Sequence, residues 1–243
     1  MYDSYKEIVA SLKSTGGKAR NDVFLDKYLG NKHPKYALST PALRKIAQDW
    51  MKRHRDISPE DLAELLTYLV EGKTFTEKIM AGVMLGYATP AQRSFNIKVF
   101  DHWLNQLEGW AEIDALCSGK YSLNEIPRNW KAWSKQLVRF NKSKEIEKRR
   151  ASLVLLCSPL SHTGDAALRE AAFTLIDRIK NEKDILITKA ISWLLRSMVR
   201  HHHDAVMDYI NENAETLPAI AVRETRKKLE TGRKTTPKNR GVH

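Results

Sequence analysis

Apolar residues along most of the chain recur at the spacing of helix faces. Between residues 43 and 50 they fall at positions i, i+3, i+4 and i+7, and residues 62–69 repeat this pattern. Thr40-Pro41 and Ser58-Pro59 precede the two runs, as expected of a capping hydroxyl followed by a first-turn proline. No segment shows the sustained alternation of a half-buried strand. The pattern therefore predicts an all-α chain.

Glycines and prolines divide this pattern into about a dozen helices. Two of them open at residues 40 and 58, and the others are expected at about 2–14, 20–29, 74–88, 90–106, 123–139, 144–157, 165–180, 183–200, 204–212 and 218–231. Antiparallel pairs then recur every 35–45 residues, which is the spacing of HEAT-like repeats. Such repeats stack into an α-α superhelix, or solenoid, with a concave face. We expect one domain over residues 1–231 and a flexible basic tail over 232–243.

Composition supports a helical chain with a polyanionic partner. The 243 residues are 42% hydrophobic, enough for a core, while 11 Gly and 8 Pro are few for a β-sandwich of this length. Lys and Arg exceed Asp and Glu by 41 to 29, a net charge of +12. That excess favours nucleic acid as a partner, with an anionic membrane surface as the alternative. Residues 223–240 hold eight of the cations and two glutamates, so half of the excess lies near the C-terminus.

Several classes of protein are excluded. Two cysteines, Cys117 and Cys157, are too few for a disulfide framework or a cysteine-rich zinc module, and their apolar neighbours favour buried thiols in a reducing cytoplasm. We expect no secretory signal and no transmembrane span. The three histidines of His201–His203 do not converge on one ion, because adjacent helical residues point about 100° apart. We expect a polar helix end there, and no metal site.

Four residues are candidates for chemistry. Trp110 and Asp114 lie four positions apart and share a helix face. Arg150 follows 36 residues after Asp114, and Trp193 follows 43 residues after Arg150, so about one repeat separates them. Stacked repeats would place all four along one groove.

A tryptophan on a helix usually belongs to the core, and we assign Trp50, Trp130 and Trp133 to that class. An unpaired carboxylate is costly to bury, so Asp114 is either exposed or partnered, and an ordinary salt bridge or cap remains open.

Cations surround one of these tryptophans. Lys189, Trp193, Arg196 and Arg200 are spaced by four, three and four residues, which places them on one helical stripe. Such a stripe suits phosphate contact and stacking better than a core. The run Arg149-Arg150 could equally be a solvated face.

Three segments resemble one family. The stretches Trp110–Asp114, Arg149–Ala151 and Lys189–Arg196 are similar to those of the HEAT-repeat DNA alkylation-repair glycosylases, the AlkD-like family. Leu38–Arg44 also resembles a family turn, with Ser39 where a glutamine can stand, and Tyr28 matches an aromatic eleven residues earlier. The resemblance extends from about residue 20 to 230, and the order and spacing of the segments make it specific.

The resemblance implies excision of N3- and N7-alkylated purines from duplex DNA by hydrolysis of the N-glycosidic bond. It makes Trp110, Asp114 and Trp193 the active-site residues and Arg150 a phosphate contact. The duplex would lie on a basic concave face, and the damaged nucleotide would be contacted through its backbone without entering a tight base pocket. An open face of this kind suits a monomer.

The residue types suit this chemistry. A purine alkylated at N3 or N7 is cationic and leaves without protonation, so no general acid is required. A carboxylate can stabilise the oxocarbenium-like sugar and position water, and tryptophan π faces attract cations. We expect neither a metal nor an organic cofactor. Further DNA contacts are expected from a larger set of side chains: Tyr28, Ser39, Lys148, Arg149, Lys189, Arg196 and Arg200. The alternatives are a non-catalytic DNA-structure-binding protein and a protein-binding adaptor on the same scaffold.

Overall fold

The computed structural model describes residues 1–233, and its regular elements there are helices. The fourteen helices of this range are α1 (Tyr2–Gly16), α2 (Val23–Leu29), α3 (Thr40–Arg53), α4 (Pro59–Glu71), α5 (Phe75–Tyr87), α6 (Val99–Leu104), α7 (Gly109–Cys117), α8 (Lys120–Arg128), α9 (Trp130–Asn141), α10 (Ile146–Leu160), α11 (Ala166–Ile179), α12 (Ile185–Met198), α13 (His203–Glu212) and α14 (Ala219–Thr231). The all-α prediction is confirmed, and the arrangement is consistent with a superhelix of helical repeats. Residues 234–243 of the predicted tail lie outside the described range.

Side-chain caps set the start of several helices. The Ser39 hydroxyl, not that of Thr40, caps α3 by accepting from the amide of Ala42, and the helix begins at Thr40. Ser58 caps α4 in the same way, as the sequence predicts. Asp184 caps α12 by accepting from the amide of Leu186, which fixes the first turn of that helix.

The predictions of two long helices, at residues 90–106 and 123–139, are wrong. In the stretch 90–106 only α6 is helical, because the turn at residues 89–92 is closed by its own side chains: Gln92 accepts from the amide of Thr89, and Thr89 accepts from that of Gln92. The predicted helix 123–139 is two helices, since α8 ends at Arg128 and α9 begins at Trp130. Pro127 lies inside α8, and the break follows at Asn129, whose φ of −117° and ψ of 39° are not helical.

One row of helices organises the molecule. Each helix of this row contacts the next one, in the order α1, α3, α5, α7, α10, α12 and α14. The other helices pack against this row. A single hydrophobic cluster runs through the chain from Ile8 to Ala221. Trp50 and Trp133 lie within it as predicted, and Trp130 packs on it half-buried.

Two glycines allow close backbone packing around α7. A Cβ at Gly82 of α5 would lie 2.1 Å from the carbonyl oxygen of Ala115 on α7. A Cβ at Gly109, the first residue of α7, would lie 2.2 Å from the carbonyl oxygen of Leu29, and Gly109 has a left-handed φ of 69°. Only glycine fits such positions. The packing places α7 directly against α5 and the end of α2.

No helix within residues 1–233 has the length and apolar character needed to cross a membrane.

Candidate DNA-binding and active site

A groove of about 790 Å³ opens along the helix row. Trp110 of α7, Arg150 of α10 and Trp193 of α12 line it, and Tyr28 of α2 contributes a further ring. Three of the four residues singled out for chemistry therefore share one cavity. The fourth, Asp114, does not line it but is bound to a residue that does.

Asp114 forms a two-pronged ion pair with Arg150. The Nε of Arg150 donates to Oδ1 of Asp114 at 3.0 Å, and Nη2 donates to Oδ2 at 2.8 Å. Nη1 donates to the carbonyl oxygen of Leu186 on α12. Three helices of the row thus meet at one guanidinium. Only 4% of the arginine side chain and 15% of the aspartate side chain are exposed, so solvent reaches the carboxylate only at its edge.

The surroundings of Asp114 act on its charge in opposite directions. Burial raises the pKa of the carboxyl above its ordinary value, because the charged form loses hydration. The Arg150 guanidinium opposes this rise through its charge and its hydrogen bonds. Burial is the larger effect, which makes the carboxylate a stronger proton acceptor than a free aspartate.

Trp110 is oriented by the main chain of α2. Its indole Nε1 donates to the carbonyl oxygen of Tyr28 at 2.7 Å, and the two rings meet edge to face with centroids 5.4 Å apart. The indole face is thereby fixed at the groove wall.

Trp193 lines the groove from α12, among cations. Lys189 is exposed one turn before it on α12 and also lines the groove. Arg196 lines the groove too, but its Nε lies 3.3 Å from a carboxylate oxygen of Glu224 on α14, and Ser192 donates to the same oxygen at 2.6 Å. Unlike Arg196, Lys189 has no ion-pair partner among residues 1–233, so its charge is not neutralised within that range.

Sequence reasoning missed two residues that hold α7 in place. His33, just after α2, bonds Oε1 of the fully buried Glu112 through Nδ1 at 2.8 Å. The other oxygen of Glu112 accepts from the amide of Glu108 at 2.8 Å. Burial raises the pKa of Glu112, opposed by these hydrogen bonds. A glutamate in the first turn of α7 was the available signal, since carboxylates stabilise helix N-termini.

The structure does not bring every predicted contact to the groove. Lys148 is buried and pairs with Asp101 at 3.1 Å, and Arg149 forms a two-pronged pair with Glu182 at 2.9 and 3.0 Å. Residues 148, 149 and 150 point in three directions, because each helical step turns by about 100°. Neither Lys148 nor Arg149 lines the cavity.

Arg200 and Ser39 also lie elsewhere. The predicted stripe assumed a helix to residue 200, but α12 ends at Met198 and Arg200 does not line the groove. Ser39 is occupied as the cap of α3 and borders a different cavity.

The three histidines of His201–His203 have different surroundings. His202 is buried, and His203 bonds Asp204 at 3.0 Å. Residues 1–233 contain no group of three or more His, Cys, Asp or Glu able to hold an ion.

The two cysteines are buried. Burial raises the pKa of the Cys117 and Cys157 thiols, which keeps both protonated.

Comparison with known proteins identifies the family of the chain. A family model described as DNA alkylation repair enzyme matches residues 9–229, nearly the whole chain. The chain belongs to this family. Membership gives it a role in DNA alkylation repair and suggests DNA as the substrate of this alkylation repair enzyme.

A solved structure agrees with the fold of this family member. The predicted DNA alkylation repair enzyme from Enterococcus faecalis superposes with a TM-score of 0.71 over 88% of this chain and 99% of that chain, at 16% identity. At that identity the likeness concerns the fold alone. No curated protein matches the sequence.

Proposed function

We propose that the protein is a DNA glycosylase that excises cationic N3- and N7-alkylated purines from duplex DNA. The observation that carries the proposal is the Asp114 carboxylate, which is bound by Arg150 at a groove that Trp110 and Trp193 also line. A carboxylate and aromatic faces at one groove both favour positive charge there. Both the alkylated purine and the sugar of the transition state carry such charge.

The reaction needs few protein groups. The N-glycosidic bond breaks with its electron pair moving to the purine, which neutralises the alkylated ring, and water adds to C1′ of the sugar. Asp114 stabilises the developing charge on the sugar and accepts the proton that the water loses. The raised pKa of Asp114 suits the second role. No general acid, metal or organic cofactor takes part in this scheme.

Arg150 has a double role in the proposal. An arginine has five N–H groups, and three of them bind Asp114 and Leu186. In the proposal the two that remain donate to a DNA phosphate, since Arg150 lines the groove. Lys189 and Lys27, which also line the groove, would contact the backbone on either side. One duplex then fills the groove of one monomer.

The test is base release from duplex DNA containing N7-methylguanine or N3-methyladenine. We expect the wild type to release the base and Asp114→Asn to lose release by at least a hundredfold, the scale of one electrostatic catalytic group. Glu182→Gln is the matched control, because it also removes a carboxylate from a two-pronged arginine pair, outside the groove. It should release base at the wild-type rate.

Two results would contradict the proposal. Full activity of folded Asp114→Asn would remove the carboxylate from the mechanism. Salt-dependent duplex binding by the wild type without any base release would favour a non-catalytic DNA-structure-binding protein. The enclosure of Asp114 by Arg150 is the observation that makes this alternative worth testing.

A further inference from the structure

Exposed apolar side chains are concentrated in α2. Residues 1–233 contain seven large hydrophobic side chains that are exposed, and four of them belong to this seven-residue helix: Val23, Phe24, Leu25 and Tyr28. A fifth, Ile185 of α12, lines the groove. Val23 is 85% exposed and Phe24 is 82% exposed, so burial in the protein core does not account for either.

The exposed face of α2 continues the groove. Lys27 and Tyr28 line the groove, and Val23 and Phe24 lie four residues before them. Residues at i and i+4 share a helix face, so all four side chains form one surface. Leu29, on the other side of the helix, is buried. We call the surface of Val23, Phe24, Lys27 and Tyr28 the α2 face.

The α2 face is held firmly despite its exposure. Asp22 caps the helix by accepting from the amide of Leu25, and Asp26 pairs with Lys35. The carbonyl of Tyr28 accepts from Trp110, and the Gly30 backbone lies against Gly109. A rigid apolar surface loses little conformational freedom when it binds.

The positive charge around the α2 face is complementary to the negative charge of a nucleic acid. Residues 13–35 contain six Lys or Arg and two Asp, a net charge of +4. A second copy of this chain, itself at +12, would be repelled by that charge. A duplex offers what the surface lacks, phosphates for the cations and base and sugar edges for the apolar rings.

We propose that the α2 face is a wedge for the duplex, with Phe24 packing into the base stack where the lesion weakens it. The inference rests on the proposed function only in taking duplex DNA as the ligand. Apolar side chains of this kind partly unstack base steps, at a cost of stacking energy. That cost is lowest where a base is damaged or missing. The wedge would therefore favour damaged over intact DNA before any chemistry takes place.

The test compares binding to two short duplexes, one intact and one with a tetrahydrofuran abasic site flanked by 2-aminopurine. For Phe24→Ala we expect affinity for the abasic duplex to fall about tenfold, the scale of one lost aromatic–base contact, with little change for the intact duplex. The rise in 2-aminopurine fluorescence on binding should also be lost. Phe24→Trp should restore both signals. Met207→Ala is the control, since Met207 is an exposed apolar residue of α13 outside the groove.

Several outcomes would overturn the wedge. One is an unchanged abasic preference and fluorescence signal in Phe24→Ala. Another is failure of the wild type to bind either duplex at low salt. A third is a dimer of the wild type in sedimentation that Phe24→Ala dissociates, because the face would then bind a second copy. The abasic duplex needs no excision, so a failed base-release assay leaves this result standing and the two proposals fail separately.

Discussion

Breaking the Asp114–Arg150 pair should separate its structural role from its proposed catalytic role. Asp114→Asn leaves a guanidinium that is 4% exposed without a counter-charge. Removal of one partner from a buried pair costs about 3–5 kcal/mol, and the edge exposure of this pair favours the lower end, about 3 kcal/mol. With an unfolding entropy of about 2.1 cal/mol/K per residue over the chain, that loss lowers Tm by about 6 °C. Arg150→Gln should cost a similar amount, about 3 kcal/mol.

The double variant measures how far the two charges depend on each other. Asp114→Asn with Arg150→Gln leaves no unpaired charge, so we expect a total loss of about 3 kcal/mol instead of about 6, a coupling of about 3 kcal/mol. Base release should not recover with stability, because the carboxylate is still absent. The assays are denaturant unfolding of all four proteins and base release under conditions where each is folded.

Two results would refute this reasoning. Additive losses in the double variant would mean that the two charges do not depend on each other in the folded protein. Recovery of base release together with stability would mean that Asp114 acts only by holding Arg150.

Two further predictions concern pH and packing. Arg150→Gln removes the cation that opposes the effect of burial on Asp114, so the pKa of the carboxyl should rise further. As the pH is lowered, base release by this variant should begin to fall at a higher pH than base release by the wild type. Coincident pH–rate profiles would contradict this. Gly82→Ala places a Cβ against the Ala115 carbonyl and should destabilise the protein and weaken base release, measured by thermal unfolding and the release assay. Gly86→Ala, one turn later in open space, should stabilise it by about 0.5–1 kcal/mol, and equal effects of the two substitutions would disprove the role of the close approach.

The sequence could predict the fold because helical periodicity is a local property. The apolar spacing within α3 and α4 survives in the structure almost residue for residue. The segment before α6 and the break after α8 could not be predicted as easily, because side-chain hydrogen bonds in the first case and the backbone angles of Asn129 in the second interrupt a continuing apolar pattern.

The site could be predicted only as far as one residue per helix. Spacing of about one repeat brought Arg150 and Trp193 to the same groove, since successive repeats place equivalent positions in line. It could not distinguish Arg150 from its neighbours Lys148 and Arg149, which depend on the exact rotation of α10 and on the acids of other helices. Nor could it predict the enclosure of Asp114, which requires three helices to meet.

The hydrogen bond that orients Trp110 has a consequence for how the groove can change over time. The indole is bound to the backbone carbonyl at position 28, not to a side chain. Any residue that keeps α2 helical supplies that carbonyl. Substitutions at position 28 can therefore alter the shape and chemistry of the groove wall while the indole keeps its orientation. Under the proposed function, lesion preference can therefore be altered at this wall, and libraries that aim to redirect it can be randomised at position 28 first.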